Sequence, residues 1–208
     1  GKAVAVRPLE NRSKVVSKID AGQLLTMVES CPHKGMDVRK EGEGARFRKS
    51  GGVDVINIPD SPRASARMSN QALSLLVQQE VGIEAILHYT CRDRNVLSMQ
   101  SDLLGAAALG IHNLICITGD PPKMGNYPDA TAVFDVDAIG LVNIVHNLNR
   151  GLDLGGNPLG AGTSLVIGVG AKRGLPGLDE EIKRVECKVK GGEDREGTRG
   201  GGRHREPG

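Results

Sequence analysis

Five short apolar runs, each followed by a more polar segment, constrain the fold of this chain more than any other feature. The runs are six to eight residues long, rich in valine, isoleucine and leucine, and cover residues 23–30, 53–58, 84–90, 113–119 and 164–170. This is how strands that are buried on both faces read in sequence. Strands that alternate with helices of about 10–15 residues predict parallel βαβ units with right-handed crossovers.

The segments before, between and after the runs predict helices over residues 12–21, 69–82, 95–110, 137–151 and 178–192. The helix over 69–82, for example, opens on a capping Ser69 and stops at Gly82. Residues 37–50 occupy a helix position but contain few apolar side chains and two glycines, so we expect a weak or damaged helix there.

Two architectures fit this order of elements, an open doubly wound sheet and a (β/α)8 barrel. Both are α/β folds with a parallel sheet. A complete barrel needs eight units and about 250 residues. Five units therefore form only part of a barrel.

Polar side chains stand near the carboxyl ends of the predicted strands. Glu29 ends the first strand, His88 lies near the end of the third, and Asp120 follows the fourth. The carboxyl ends of parallel strands form the active-site face of such folds, so these groups predict an acid–base or cofactor site. Taken singly, Glu29 could cap a helix or pair with a basic residue, His88 could be a hydrogen-bonded core residue, and Asp120 could start a turn.

Composition excludes several classes of protein. The formal net charge is +2 with acidic and basic residues interspersed, which gives no reason to expect nucleic-acid or membrane binding. No apolar run approaches the roughly 20 residues of a membrane span. Four widely separated cysteines favour reduced thiols and a cytoplasmic location. Residues 191–208 lack any aliphatic or aromatic side chain and are expected to form a disordered tail after a domain of residues 1–190.

Two other kinds of site are weaker possibilities. A metal could be held by a subset of His33, His88, Cys91, His112 and Cys116. However, His112 begins the fourth strand and so lies at the opposite end of the sheet from His88, which argues against shared ligation. GVGAKRG follows the fifth strand but matches neither established phosphate-binding glycine pattern.

Three stretches resemble methylenetetrahydrofolate reductases: residues 56–69 (INIPDSPRASARMS), residues 87–95 (LHYTCRDRN) and residues 104–137, which contain TGDPP. The likeness runs from about residue 13 to about residue 190 and is nearest to the branch joined to a homocysteine methyltransferase domain. It implies a partial (β/α)8 barrel that binds FAD and takes hydride from NADH or NADPH. The folate substrate, 5,10-methylenetetrahydrofolate, would become 5-methyltetrahydrofolate, a step of one-carbon metabolism that serves methionine biosynthesis.

The same resemblance implies roles for individual residues. Glu29, in VESCP, matches the general acid that protonates the departing folate nitrogen and opens the ring to an iminium ion. Asp120, in TGDPP, matches the aspartate beside the flavin and the pterin. The positions that match flavin contacts are His88, Thr118, Gly119 and Lys188. Because a carboxyl group donates a proton near neutral pH only when desolvated, we expect Glu29 to lie in a desolvated pocket.

The sequence also departs from the family pattern. Pro32 is followed by His33 where a second proline is common, and Pro59 stands where other branches have a flavin-contacting threonine. After Lys188 the pattern is lost, so the last three strands of a barrel are expected to be absent and turnover weak or lacking.

The alternatives are a non-catalytic remnant that binds FAD or folate, and a metal-dependent barrel hydrolase. A homo-oligomer and a methyltransferase domain in the full-length protein are possible partners.

Overall fold

The computed structural model describes residues 2–170, which form a single parallel sheet with helices between its strands. The strands are β1 (Met27–Glu29), β2 (Val55–Ile58), β3 (Glu84–Thr90), β4 (Asn113–Ile117) and β5 (Val166–Val169). The helices are α1 (Lys14–Asp20), α2 (Arg39–Ser50), α3 (Asn70–Val81), α4 (Val96–Ala108) and α5 (Ala138–Asn149).

The order of the strands decides between the two predicted architectures. Each strand pairs in parallel with its neighbour in the sequence, which gives the order β1-β2-β3-β4-β5. A doubly wound sheet reverses this order at a switch point, whereas a barrel does not. The predicted fold class, an α/β fold built as part of a (β/α)8 barrel, is therefore confirmed.

Side chains alternate between two different faces of this sheet. The helix-covered face packs against α2–α5 and includes Ile56, Ala85, Leu87 and Leu114, all of them buried. The opposite face, here called the inner face, carries Val55, Ile86 and Ile115, which cluster with Val15 of α1 and with Leu25. Helices α2–α5 thus cover only one face of the sheet, as helices do in the wall of a barrel.

Helix α1 is held at the amino-terminal end of the sheet by a carboxylate. The Glu84 side chain, at the start of β3, accepts hydrogen bonds from the main-chain N–H groups of Lys14 (2.9 Å) and Val15 (3.0 Å). The Ser13 hydroxyl accepts a third hydrogen bond, from the Val16 N–H, at 3.2 Å. Since these groups satisfy the free donors of the first turn, α1 is fixed here and leaves the carboxyl ends of the strands open.

Two predicted elements differ from the structure. Strand β1 covers only Met27–Glu29 instead of residues 23–30, and α2 is a complete twelve-residue helix instead of a damaged one. Arginine, lysine and glutamate are good helix formers, which explains why α2 forms although Ala45 is its only buried residue. The predicted helix 178–192 and the predicted tail 191–208 lie outside the described residues. Within residues 2–170, no helix is long and apolar enough to cross a membrane.

Candidate active site

Three polar side chains share the inner face near the carboxyl ends of β1, β2 and β3. Glu29 and Asn57 are direct register partners in β1 and β2, and His88 lies on the same face of β3. The pKa of His88 is lowered because burial disfavours the imidazolium, although the negative charges of Glu29 and Asp60 oppose this shift. His88 is therefore a neutral imidazole at pH 7, and it lies close enough to Glu29 for the carboxylate charge to act on its pKa.

Glu29 itself is exposed, so the expectation that it lies in a desolvated pocket is wrong for the described structure. Within residues 2–170, β1 pairs only with β2 and leaves one side of the strand open. The Cys31 thiol donates from Sγ to Glu29 Oε1 at 3.6 Å. Burial raises the pKa of Cys31, and the negative charge of Glu29 raises it further. Cys31 therefore remains a protonated thiol.

At the carboxyl ends of the strands, two buried polar atoms of this face have no hydrogen-bond partner among the described residues. They are the Nε2 atom of His88 and the Oδ1 atom of Asn57. Leaving such an atom unpaired costs about 1–3 kcal/mol, which a bound ligand with complementary groups would recover. These atoms fit a polar heterocycle such as a flavin or a pterin, which carries both donors and acceptors along its edge.

The turn after β4 requires a glycine. Gly119 has a φ of +95°, and a Cβ atom there would lie 3.0 Å from Thr90 Cβ and 3.3 Å from Arg92 Cβ. The Thr118 hydroxyl accepts from the Ala138 N–H at 3.1 Å, so it serves the amino end of α5 rather than the inner face. Glycine at this position lets the main chain lie directly against the end of β3.

Asp120 lies at the same end of the sheet, in the turn with Thr118 and Gly119, but its side chain does not contact Glu29 or His88. Its side chain is exposed, and its main-chain oxygen accepts from Arg92 Nη1 at 3.3 Å. Among the described residues, no hydrogen bond or ion pair joins its carboxylate to Glu29 or His88. The structure thus brings Glu29 and His88 together and places Asp120 on the rim. Lys188 lies outside the described residues.

Sequence reasoning missed a charged network beside this site. The buried Asp60, in the loop after β2, forms an ion pair with Arg94 at 2.6 Å and accepts from the Thr90 hydroxyl at 2.9 Å. Arg94 also contacts Asp102 at 3.1 Å and lies over the Tyr89 ring, 4.5 Å from its centroid. Arg94 in LHYTCRDRN was the available signal, but its partner Asp60 is 34 residues away in the sequence.

Residues 2–170 contain no group of three or more histidine, cysteine, aspartate or glutamate side chains placed to hold a metal ion. Cys91 and Cys116 are buried free thiols on the helix-covered side, and burial raises the pKa of each to about 12. Each therefore stays a protonated thiol near neutral pH, and a protonated thiol is a poor nucleophile.

The sequence of the chain matches a known family. The sequence model of methylenetetrahydrofolate reductase matches residues 14–195. The chain belongs to the methylenetetrahydrofolate reductase family. The match begins at the first residue of α1, covers every strand of the sheet and extends past Lys188. No curated protein shows significant similarity to the chain.

Membership in the methylenetetrahydrofolate reductase family indicates an oxidoreductase of folate one-carbon metabolism. The finer likeness, to the branch fused to a homocysteine methyltransferase domain, remains a prediction. The same holds for the individual roles of Glu29, His88, Thr118, Gly119, Asp120 and Lys188.

Proposed function

We propose that the chain binds FAD and a folate at the carboxyl ends of its strands. There it reduces 5,10-methylenetetrahydrofolate to 5-methyltetrahydrofolate, with NADH or NADPH as the hydride donor. One observation carries the proposal: Glu29 and the unpartnered Nε2 atom of His88 share one face at this end of the sheet, in a chain of this family. A carboxyl group within reach of a bound heterocycle can act as its general acid.

The bound flavin would supply hydride transfer between the nicotinamide and the folate. His88 would contribute a neutral ring nitrogen that hydrogen-bonds the edge of this cofactor, since Nε2 is buried and unpartnered. Gly119, which lets the β4 turn pack on Thr90, would hold this turn beside the cofactor, a role that rests on the sequence resemblance. We propose that Lys188 binds the phosphate portion, a role that rests on the sequence resemblance alone.

Glu29 would donate a proton to the departing folate nitrogen. A carboxyl group does this near neutral pH only when water is excluded from it. Because Glu29 is exposed without ligand, we propose that the bound ligands themselves shield the carboxyl group. Asp120, on the rim, would favour the positive charge that develops on the folate as its ring opens.

A second candidate, a chain that binds FAD or folate without turnover, is favoured by the exposure of Glu29. Strand β1 has only three residues, and neither Met27 nor Glu29 is buried. A proton donor on so small a strand would be poorly fixed, and displacement of a catalytic group by 1 Å costs rate on the order of 100-fold.

The absorbance spectrum of the purified chain, followed by an anaerobic nicotinamide assay, tests both candidates. We expect a yellow protein whose flavin is bleached by NADH or NADPH and re-oxidised by the folate. In Glu29→Gln the bleaching should persist while folate reduction falls by about 100- to 10,000-fold. Glu80→Gln, a half-exposed carboxylate of α3 that pairs with Arg46, is the matched control.

Each outcome separates the candidates. Bound FAD with no re-oxidation by folate in the wild type would support the non-catalytic chain. A colourless protein that takes up neither added FAD nor added folate contradicts both. Equal loss of folate reduction in Glu29→Gln and Glu80→Gln would remove the acid role from Glu29.

A further inference from the structure

One buried carboxylate, that of Asp60, joins the loops that follow β2 and β3. Asp60 is 8% exposed, and its Oδ2 atom accepts from the Thr90 N–H at 3.1 Å, the Thr90 hydroxyl at 2.9 Å and Arg94 Nη1 at 2.6 Å. A buried carboxylate with three donors is fully satisfied and holds its partners firmly. The position of Thr90 is therefore fixed by Asp60.

Thr90 in turn contacts the turn that follows β4. A Cβ atom on Gly119 would lie 3.0 Å from Thr90 Cβ and 3.2 Å from Thr90 Cγ2, so the main chain of Gly119 packs directly on this side chain. Beside it, the Cys91 N–H donates to the Thr118 carbonyl at 3.1 Å. The end of β3 is thus the surface against which the Thr118–Asp120 turn is placed.

The loop after β2 reaches the loop after β4 by a second route. Ser61, Arg63 and Ala64 have φ values of 40°, 57° and 49°, a left-handed conformation that costs energy in residues with a side chain. The Ala64 carbonyl lies so close to Gly125 that a Cβ atom there would overlap it. A strained loop persists only when its surroundings hold it, and Asp60 is its buried anchor.

We propose that Asp60 is a positioning residue that places the Gly119–Asp120 turn for the reaction, acting through Thr90 and through the strained loop. That this turn faces flavin and folate rests on the proposed function. The proposal has a mechanical part, which is that Asp60 fixes the Gly119–Asp120 turn. This part does not depend on any ligand.

The network supplies a matched control. Asp102 of α4 is a second carboxylate partner of Arg94, with 3.1 Å between Arg94 Nε and Asp102 Oδ2. Its side chain is 37% exposed and bonds the Tyr89 hydroxyl rather than Thr90. Asp60→Asn and Asp102→Asn remove one charge each from the same arginine, but only the first loosens Thr90.

Amide hydrogen exchange in the ligand-free protein tests the mechanical part. The reporters are the hydrogen-bonded amides of Cys91, Met124 and Gly125, which lie on either side of the turn. In Asp60→Asn we expect these amides to exchange about tenfold faster than in the wild type, as the loss of a charged hydrogen bond implies. Asp102→Asn should leave them within about twofold.

Thr90 variants keep the test valid if Asp60→Asn does not fold. Thr90→Val retains the shape against Gly119 but loses the hydroxyl that bonds Asp60, and it should speed exchange at the same amides. Thr90→Ser restores the hydroxyl and should return exchange towards the wild-type rate. Unchanged exchange in both Asp60→Asn and Thr90→Val, or an equal rise in Asp102→Asn, would overturn the inference.

The midpoint potential of the bound flavin tests the functional part. We expect a shift in Asp60→Asn and none in Asp102→Asn, because only the first moves Gly119 and Asp120. An unshifted potential together with faster exchange would overturn the link between Asp60 and the reaction. A wild type that binds no flavin would contradict the proposed function and still leave the exchange result to decide the mechanical part.

Discussion

The first strand–helix unit, β1 and α2, is packed far less tightly than the units built on β3 and β4. Strand β1 has no buried residue and α2 has one, Ala45. By contrast, β3 and β4 contribute to a cluster that includes Met99 and Leu103 of α4 and most of the apolar side chains of α5. Apolar burial is the main favourable term in folding, so the stability of the described fold is concentrated in its middle units.

Because of this difference, the residues of the candidate site lie on units that are packed to different degrees. Glu29 lies on the lightly packed unit, whereas His88 and Gly119 lie on the tightly packed ones. Regions with few buried contacts open at a lower free-energy cost than the core. The proposed proton donor therefore lies on the part of the fold that can adjust most easily around a ligand, whereas His88 and Gly119 lie on a rigid part.

The largest expected effect comes from truncating one leucine in the middle of the fold. Leu103 is fully buried, and Leu103→Ala should lower the free energy of unfolding by about 2–5 kcal/mol. Phe47 of α2 is 80% exposed, so Phe47→Ala should change it by no more than about 0.5 kcal/mol. Denaturant titration of both variants measures the contrast, and equal losses would show that the two units are packed alike.

A smaller effect, of opposite sign, is expected within α2. A Cβ atom at Gly42 would meet only Arg46 Nη1 at 3.6 Å and Glu80 Oε2 at 3.8 Å, which are ordinary contacts. Gly42→Ala should therefore stabilise the protein by about 0.5–1 kcal/mol, since glycine is a poor helix residue. Gly52, with a φ of +84°, is the control in the same unit, and alanine there should destabilise. Thermal unfolding of the two variants distinguishes the signs, and a loss at Gly42 would mean that α2 packs more closely than described.

The smallest expected effect concerns pH and the middle of the sheet. Burial lowers the pKa of His88 in the folded chain below its unfolded value of about 6.5, so the unfolded state takes up a proton first as pH falls. The neutral imidazole therefore contributes its full stability above the unfolded pKa. This contribution is lost progressively as the pH falls from the unfolded pKa to the folded pKa. Urea titrations from pH 7.5 to 5.5 should show a shallower decline in His88→Gln. An unchanged slope would mean that His88 does not titrate differently on folding.

Much of the fold follows from local sequence patterns. The β-branched runs predict the strands β2 to β5, and capping residues such as Ser69 and Asn95 predict where α3 and α4 begin. The shared face of Glu29 and His88 follows from the period of two in strands and from parallel pairing. These features depend on neighbours in the sequence, which is why the pattern alone predicts them.

Other features depend on contacts that no local pattern contains. Asp60 stands in a proline-flanked segment that reads as turn chemistry, and its burial results from the register of β2 on β3. The exposure of Glu29 results from what lies beside β1, which the run of residues 23–30 does not specify. Helix α2 forms because its arginine, lysine and glutamate residues have a high helix propensity, although it has no apolar stripe.

The sequential order of the strands has a consequence for how the chain acquires its structure. Met27 and Val55 are register partners 28 residues apart, whereas Asn113 and Val166 are partners 53 residues apart. Closing a loop of nearly twice the length costs only about 0.6 kcal/mol more in entropy. Since every pairing is between successive strands, each unit can dock on the one already made, and the sheet can grow in the direction of synthesis, with the addition of β5 as the slowest closure.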